Sequence, residues 1–221
     1  SHPKEKRAGF NTFCNYILPY RNDNVPLERE IRRKYFEKFH WAIDSLQAGV
    51  PFKSVADSIF ETSNYTGLAT IRDFYPIPLT ASRYEKCRTG LCSEEVNYII
   101  CIFRALGITA SEDFVPLFGN SRTVGHSFFR IKYGDEVYCP GDLIDDYKRE
   151  SIAKVFRKTY SANRNTWGEI CLYTEVTPEY APVTDVAVDI AFNGPPGRVD
   201  PVLCLFQRDV WYRIAKGKQK G

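Results

Sequence analysis

Leu27, Ile31, Tyr35, Phe39, Ala42 or Ile43, and Leu46 recur at three- and four-residue intervals with polar positions between them, the pattern of one apolar stripe on a helix. Asn24-Val25-Pro26 reads as its entry, because a first helical turn tolerates proline, and Gly49 reads as its stop. A shorter helix is predicted from about Pro51, with Phe52, Val55, Ile59 and Phe60 inward. From Ser63 to Arg88 the pattern breaks. Gly, Pro, Thr and aromatics mix, and Pro76 and Pro78 in FYPIPLTASRY remove backbone donors and restrict their neighbours, so a structured loop is predicted. Helical spacing returns at Val96, Ile99, Ile100, Phe103 and Leu106, one face of a buried helix that Gly107 is placed to end.

From Phe114 the period changes to two. HSFFRIKY and EVYC are strand-like and are joined by Gly134-Asp135, a hairpin turn signal. ESIAKVFRKTY reads as a short amphipathic segment. VTDVAVDIAF and VLCLFQRDVWYRIA alternate like strands, separated by the Gly/Pro cluster NGPPGRVDP. Helices followed by antiparallel strands give an α+β fold class. The division drawn from this is a core over residues 1–171 and a β extension over 172–221. The extension is too short for an independent sheet, so it either docks on the core or begins a β-sandwich completed by residues outside this sequence. There is no internal repeat and no low-complexity tract.

Composition narrows the function classes. The 221 residues are 43% hydrophobic and 14% aromatic, enough for one sizeable core. The formal net charge is only +3, and the short basic runs at Arg32-Arg33-Lys34 and at Lys216, Lys218 and Lys220 read as solvated surface. That argues against a nucleic-acid or membrane-surface role. No apolar run approaches the roughly 18 residues that a membrane span needs. The start, SHPKEKRAGF, lacks the apolar stretch of a signal peptide, and the chain has no methionine. The expectation is an excised piece or a mature form from which any export signal is already gone, so the compartment stays open. The oligomeric state stays open too. Seven cysteines cannot all pair within the chain and are too sparse for a disulfide scaffold.

Two residues, one cysteine and one histidine, carry candidate chemistry. Cys92 opens the helix that Gly107 ends, and the partial positive charge and free N–H groups of a helix N-terminus favour a thiolate and can hold a developing oxyanion. Gly90 permits a close approach of chain or substrate. Glu94 and Glu95 act the other way and raise the thiol pKa, so a cationic partner is required. Of the three histidines, His2 lies in a polar start and His40 within the first predicted helix, where packing or surface exposure accounts for it. His126, after Gly125 and at the head of a predicted strand, is the sole plausible partner.

An imidazole in such a pair is oriented by a carboxylate. CPGDLIDD offers Asp142 and Asp145. With a two-residue Gly-Asp turn, Tyr133 faces Glu136 and Asp142 falls opposite Ser127, off the histidine's face. A three-residue turn, or a bulge at Pro140-Gly141, shifts the strand by one and brings Asp142 diagonally beside His126. Asp142 is favoured, with Asp145 better placed if there is no bulge. Two plainer readings stand beside these. Cysteines such as Cys101 are by default small buried apolar residues. A zinc site of Cys87, Cys92 and His126 is conceivable, but the chain has no CxxC pair.

These residues resemble the transglutaminase-like superfamily of papain-like cysteine hydrolases and acyltransferases, in particular its bacterial members. The resemblance covers mainly residues 85–145. It rests on GLC at 90–92 opening a helix that closes in RALGI at 104–108, on GHSFFRI at 125–131, and on YCPGD at 138–142. Phe128 stands where the family often has tryptophan. The resemblance implies N-terminal helices and a nucleophile helix packed on an antiparallel sheet, and a metal- and cofactor-independent Cys-His-Asp triad. Cys92 would be the nucleophile, His126 the general base and acid, and Asp142 the orienting group. The implied reaction is acyl transfer on a peptide or protein amide, with hydrolysis ahead of glutamine-type transfer. The substrate would lie along residues 75–88 and the loop before His126, and Tyr84 is a candidate oxyanion donor. A non-catalytic binding or structural module on the same fold is the alternative.

Overall fold

The computed structural model describes residues 8–22, 24–63, 66–67, 70–119, 125–139, 152–164, 169–189, 201–207 and 210–217. Helices α1 (Phe10–Tyr16), α2 (Ile31–Gln47) and α3 (Phe52–Glu61) come first. The first long helix starts at Ile31 rather than near Pro26, and Leu27 stays largely exposed. Tyr35, Phe39 and Ala42 form its buried stripe, and Gly49, at φ +87°, ends it in the left-handed region that only glycine enters without strain. Pro51 caps the second predicted helix, which buries Phe52, Val55, Ala56 and Ile59.

The stretch predicted as loop contains helices. A two-residue strand β1 (Thr66–Gly67) precedes α4 (Ile71–Phe74) and α5 (Ala81–Cys87). Pro76 and Pro78 do keep their own segment irregular, but Thr80 starts a helix directly after it. Its hydroxyl accepts from the Arg83 N–H at 3.4 Å and donates to Glu28 Oε1 at 3.0 Å. Thr80→Ala is therefore expected to cost about 1 kcal/mol, read as a lower urea midpoint at unchanged slope.

A second short strand, β2 (Thr89–Gly90), pairs in parallel with β1 and leads into α6 (Cys92–Ala105). From Val96 to Leu106 every residue of this helix and its end is buried. It is apolar on all sides because it is sandwiched, with α2 and α5 on one side and the sheet on the other. Gly107, at φ +76°, closes it as expected.

The sheet is antiparallel with spatial order β5-β4-β3-β6-β7. Its strands are β3 (Thr109–Val115), β4 (His126–Tyr133), β5 (Glu136–Tyr138), β6 (Phe156–Arg164) and β7 (Ile170–Glu175). The period-two pattern thus begins at Thr109 rather than Phe114. The FRKTY end of the ESIAKVFRKTY stretch lies in strand β6 rather than in a separate amphipathic segment. Residues 183–189 of the predicted VTDVAVDIAF strand form no regular element. The boundary placed between residues 171 and 172 falls inside β7, and Thr177–Glu179 follows as a short 3₁₀ turn. Beyond it, β8 (Val202–Gln207) and β9 (Val210–Lys216) make the hairpin that the alternation predicted. No helix among the described residues is long and apolar enough to cross a membrane.

Strand alternation divides the sheet into two unlike faces. Ala110, Phe129 and Ile131 face α6 and join the main core. Val115 and Phe128 face the other way, into a smaller cluster with Val155 and Val176.

Candidate active site

The start of α6 is built by its neighbours. Arg88, the only non-glycine at positive φ (+55°) among the described residues, ends α5 in a left-handed turn and redirects the chain through β2. The Glu94 carboxylate then caps the new helix, accepting the Leu91 N–H at 2.7 Å and reaching back to the Leu79 N–H at 3.3 Å. A Cβ at position 90 would lie 3.0 Å from Glu94 Cβ, so Gly90 makes room for this cap. Of the close approach of chain or substrate expected at Gly90, it is the chain's own that the fold displays.

Cys92 occupies the first position of α6 and is half-buried. Its sulfur is approached by the backbone N–H groups of Ser127, on β4, and Ser93. Burial pushes its pKa above the ordinary thiol value; the Glu112 and Glu94 carboxylates push the same way, and the two N–H groups oppose them without prevailing. The helix end therefore does not by itself produce a thiolate. Glu95 is held by the Ser63 hydroxyl at 2.7 Å.

His126 is the first residue of β4, directly before the residue whose N–H meets the sulfur. Gly125 precedes it because a Cβ there would fall 2.0 Å from the Val115 carbonyl oxygen and 2.3 Å from that of Pro116. His126 pairs with Val115 and Ser127 with Phe114, so alternation directs Ser127 toward α6 and the imidazole toward the opposite face. There the ring lies nearly parallel to that of Phe128, with centroids 6.4 Å apart. Burial lowers the His126 pKa, which favours the neutral imidazole. Thiol and imidazole are thus brought to the same end of one strand, on opposite sides of its first two residues.

The hairpin turn is of the two-residue kind, with Tyr133 opposite Glu136 and Gly134 at φ +59°. Asp142 and Asp145 both lie outside the described residues. Tyr84 is fully buried, its ring 5.4 Å from that of Tyr98, nearly two turns along α6 from Cys92. Among the described residues no group of three or more His, Cys, Asp or Glu side chains is arranged to hold a metal. Cys87 instead points its thiol at the Thr89 carbonyl at 3.4 Å. Cys101 is buried, in keeping with the plain reading of it, and burial pushes its thiol up to about 12.

The residue that sequence reading passed over is Glu112. It is almost wholly buried on the α6 face, where it accepts from Ser127 Oγ at 2.8 Å and Asn22 Nδ2 and pairs with Lys158 Nζ at 2.9 Å. Its signal was present as alternation, since Ala110, Glu112 and Phe114 share one face, but the period-two pattern reads as beginning only at Phe114. No family model, curated protein or solved structure matches this chain, so the functional reading rests on the geometry of the site.

Proposed function

We propose that the protein is a cysteine-dependent acyl-transfer enzyme acting on an amide, with water as the principal acceptor. The observation that supports it is the approach of the Ser127 N–H to the Cys92 sulfur, because His126 is the adjoining residue and consecutive Cα atoms are only about 3.8 Å apart. The thiol attacks the amide carbon while its proton passes to the neutral imidazole, so a C–S bond forms and the carbonyl oxygen becomes an oxyanion. The N–H groups of Ser93 and Ser127 are the donors at hand for that oxygen. Collapse breaks the C–N bond and the imidazolium protonates the departing amine. Water, deprotonated by the same imidazole, then cleaves the thioester to acid and thiol. The step requires the imidazole to turn toward the sulfur from the face it shares with Phe128. The orienting carboxylate is assigned to Asp142 by the family resemblance, with Asp145 as the alternative.

The second reading, a non-catalytic module, is favoured by one observation: burial holds the thiol protonated. Labelling decides between them. The native chain is treated at pH 7 with a peptidyl acyloxymethyl ketone, and alkylation of each cysteine is followed by mass spectrometry. Cys92 is expected to react at least about tenfold faster than exposed Cys87, and His126→Asn to slow it by a factor on the order of 10². Faster reaction at Cys87, with Cys92 indifferent to His126→Asn, returns the protein to the non-catalytic reading.

A further inference from the structure

We infer that a cavity over strands β6 and β7, on the α6-facing side of the sheet, is a binding site for a flat two-ring aromatic group that carries a ring N–H donor. The cavity has a volume of about 360 Å³. An apolar cavity of about 150 Å³ takes a single benzene ring, so this one has room for a fused pair. Among the described residues neither Cys92 nor His126 lines it, and the inference stands whether or not Cys92 is acylated.

The floor of the cavity comes from the register. Helix α6 packs on β3 and β4. Phe114 on β3 pairs with Phe156, and Phe156 with Glu175, so one row of side chains runs outward from β3 across β6 to β7. Tyr173, two residues before Glu175, takes the same face. The rings of Phe114, Phe156 and Tyr173 have centroids 5.2 to 6.0 Å apart, one pair inclined at 31° and the other two at 75° and 85°. All three are half-buried. Such a floor presents both faces and edges, which a further ring can meet stacked or edge-on. Ile214 of β9 completes the apolar lining. It is buried although Leu203, Phe206 and Trp211 of the same hairpin are exposed, which makes it the point where the hairpin closes on this face.

The polar groups around that floor set the donor. Asn163 commits its Nδ2 to Thr159 Oγ1 at 2.7 Å and to the Ser161 carbonyl at 3.0 Å, so the atom it leaves to a ligand is its carbonyl oxygen. Glu175 receives Lys154 Nζ and the Thr177 hydroxyl on Oε1, which leaves Oε2 as an acceptor. Arg164 and Arg213 also border the cavity, but both are engaged in interactions of their own and contribute nothing to the preference. A ring N–H on a flat apolar frame suits this set, with the frame on the aromatic floor and the hydrogen directed to an acceptor at its margin. An N-methylated ring lacks the donor, and an aliphatic ring lacks the flat face.

The test is a titration of the isotopically labelled full-length chain with indole, 1-methylindole and cyclohexanol, with Kd read from backbone amide shifts. Indole is expected to bind at least about tenfold tighter than either comparator, because 1-methylindole leaves the acceptors unpaired and cyclohexanol cannot stack. The shifts should centre on Phe114, Phe156, Tyr173 and Ile214. Equal affinity for indole and either comparator, or shifts centred elsewhere, overturns the site. Ile214→Trp fills the cavity and should weaken indole binding at least about tenfold. Phe156→Leu removes one ring of the floor, should weaken it likewise, and decides where Ile214→Trp does not fold. Either variant, folded and binding indole as tightly as the unsubstituted chain, overturns the site. Cys92→Ala should bind indole unchanged, so that loss of the catalytic reading leaves the cavity standing; a folded Cys92→Ala protein that no longer binds indole overturns its independence. N-acetyltryptophanamide distinguishes the source of the ring. Tighter binding than indole assigns it to a peptide side chain and weaker binding to a free small molecule, and both support the site.

Discussion

Arg157→Ala is expected to lower the unfolding free energy by about 3–5 kcal/mol, among the largest single effects in the molecule. Asp113, on β3, has no exposed surface, and its carboxylate lies on the face of the sheet away from α6. Arg157 meets it through a fork, Nε to Oδ1 at 2.9 Å and Nη2 to Oδ2 at 2.7 Å, and reaches Glu179 with both terminal nitrogens at 2.9 to 3.0 Å. The Ser111 and Tyr180 hydroxyls donate to the same Asp113 carboxylate. Truncating the arginine leaves a buried anion with hydroxyl donors and no forked partner, the neighbouring Arg130 being paired with Glu179 at 3.3 Å, and it is that stranded charge, rather than the net worth of the pair, that sets the cost. Arg157→Lys should recover part of the loss because it restores charge without the fork. The double variant Asp113→Ala/Arg157→Ala should cost clearly less than the two single losses added. Urea unfolding of the four proteins measures all of this, and a cost under about 1 kcal/mol for Arg157→Ala would show that water or another cation reaches Asp113. Glu179 adds a pH signature. Burial works to raise its pKa, but the Arg157 hydrogen bonds and field outweigh it and hold it below 4.5. Its contribution is therefore complete above about pH 4.5 and is lost as pH falls through the lower folded value.

That network marks where sequence reading stops. Helices announce themselves through local spacing, so α2, α3 and α6 were legible from residues such as Tyr35, Ile59 and Phe103, and Gly49 and Gly107 end their helices for the conformational reason expected. The β4–β5 hairpin was equally legible, because its turn is a local event. Asp113 and Arg157 lie 44 positions apart in sequence, and nothing local tells a buried, paired aspartate from a solvated one. The same blindness hid β3. Ser111, Glu112 and Asp113 look like a surface loop until tertiary partners neutralise them. In α5 the prolines before Thr80 carried the reading past a helix that begins immediately after them.

The site shows the same division. Cys92 could be placed at a helix start and His126 at a strand head from local pattern, and the drag of Glu94 on the thiol could be read from spacing. Which side of the strand the imidazole takes depends on the β3–β4 register, which no short stretch encodes. The glycines illustrate the point from another direction. Gly90 and Gly125 flank the two candidate residues, yet what requires each is a neighbour from the fold: Glu94 Cβ for one, two carbonyl oxygens of the β3 end for the other.

The pH dependence of hydrolysis is where the protonation states of this pair have their largest expected consequence. In the resting state burial keeps the thiol protonated and the imidazole neutral. The reactive form is then the neutral pair, and it is lost only when His126 takes up a proton. Because the folded His126 pKa is lowered, kcat/KM should hold on the acid side to below pH 6.5 before it falls. On the basic side the thiol remains protonated beyond its usual value of 9.0, so the profile should stay flat through about pH 9. A preformed thiolate–imidazolium pair behaves oppositely, with a limb descending through pH 8 to 9 as the imidazolium loses its proton. The measurement is kcat/KM for Ac-Asp-Phe-Gly-NH₂ from pH 4.5 to 9.5, with Cys92→Ala expected at the uncatalysed background and His126→Asn reduced by about 10² to 10⁴. A descending basic limb would establish that the thiol is ionised at rest, with the imidazole already turned onto the sulfur before substrate arrives. Activity that survives Cys92→Ala would place the chemistry elsewhere in the fold.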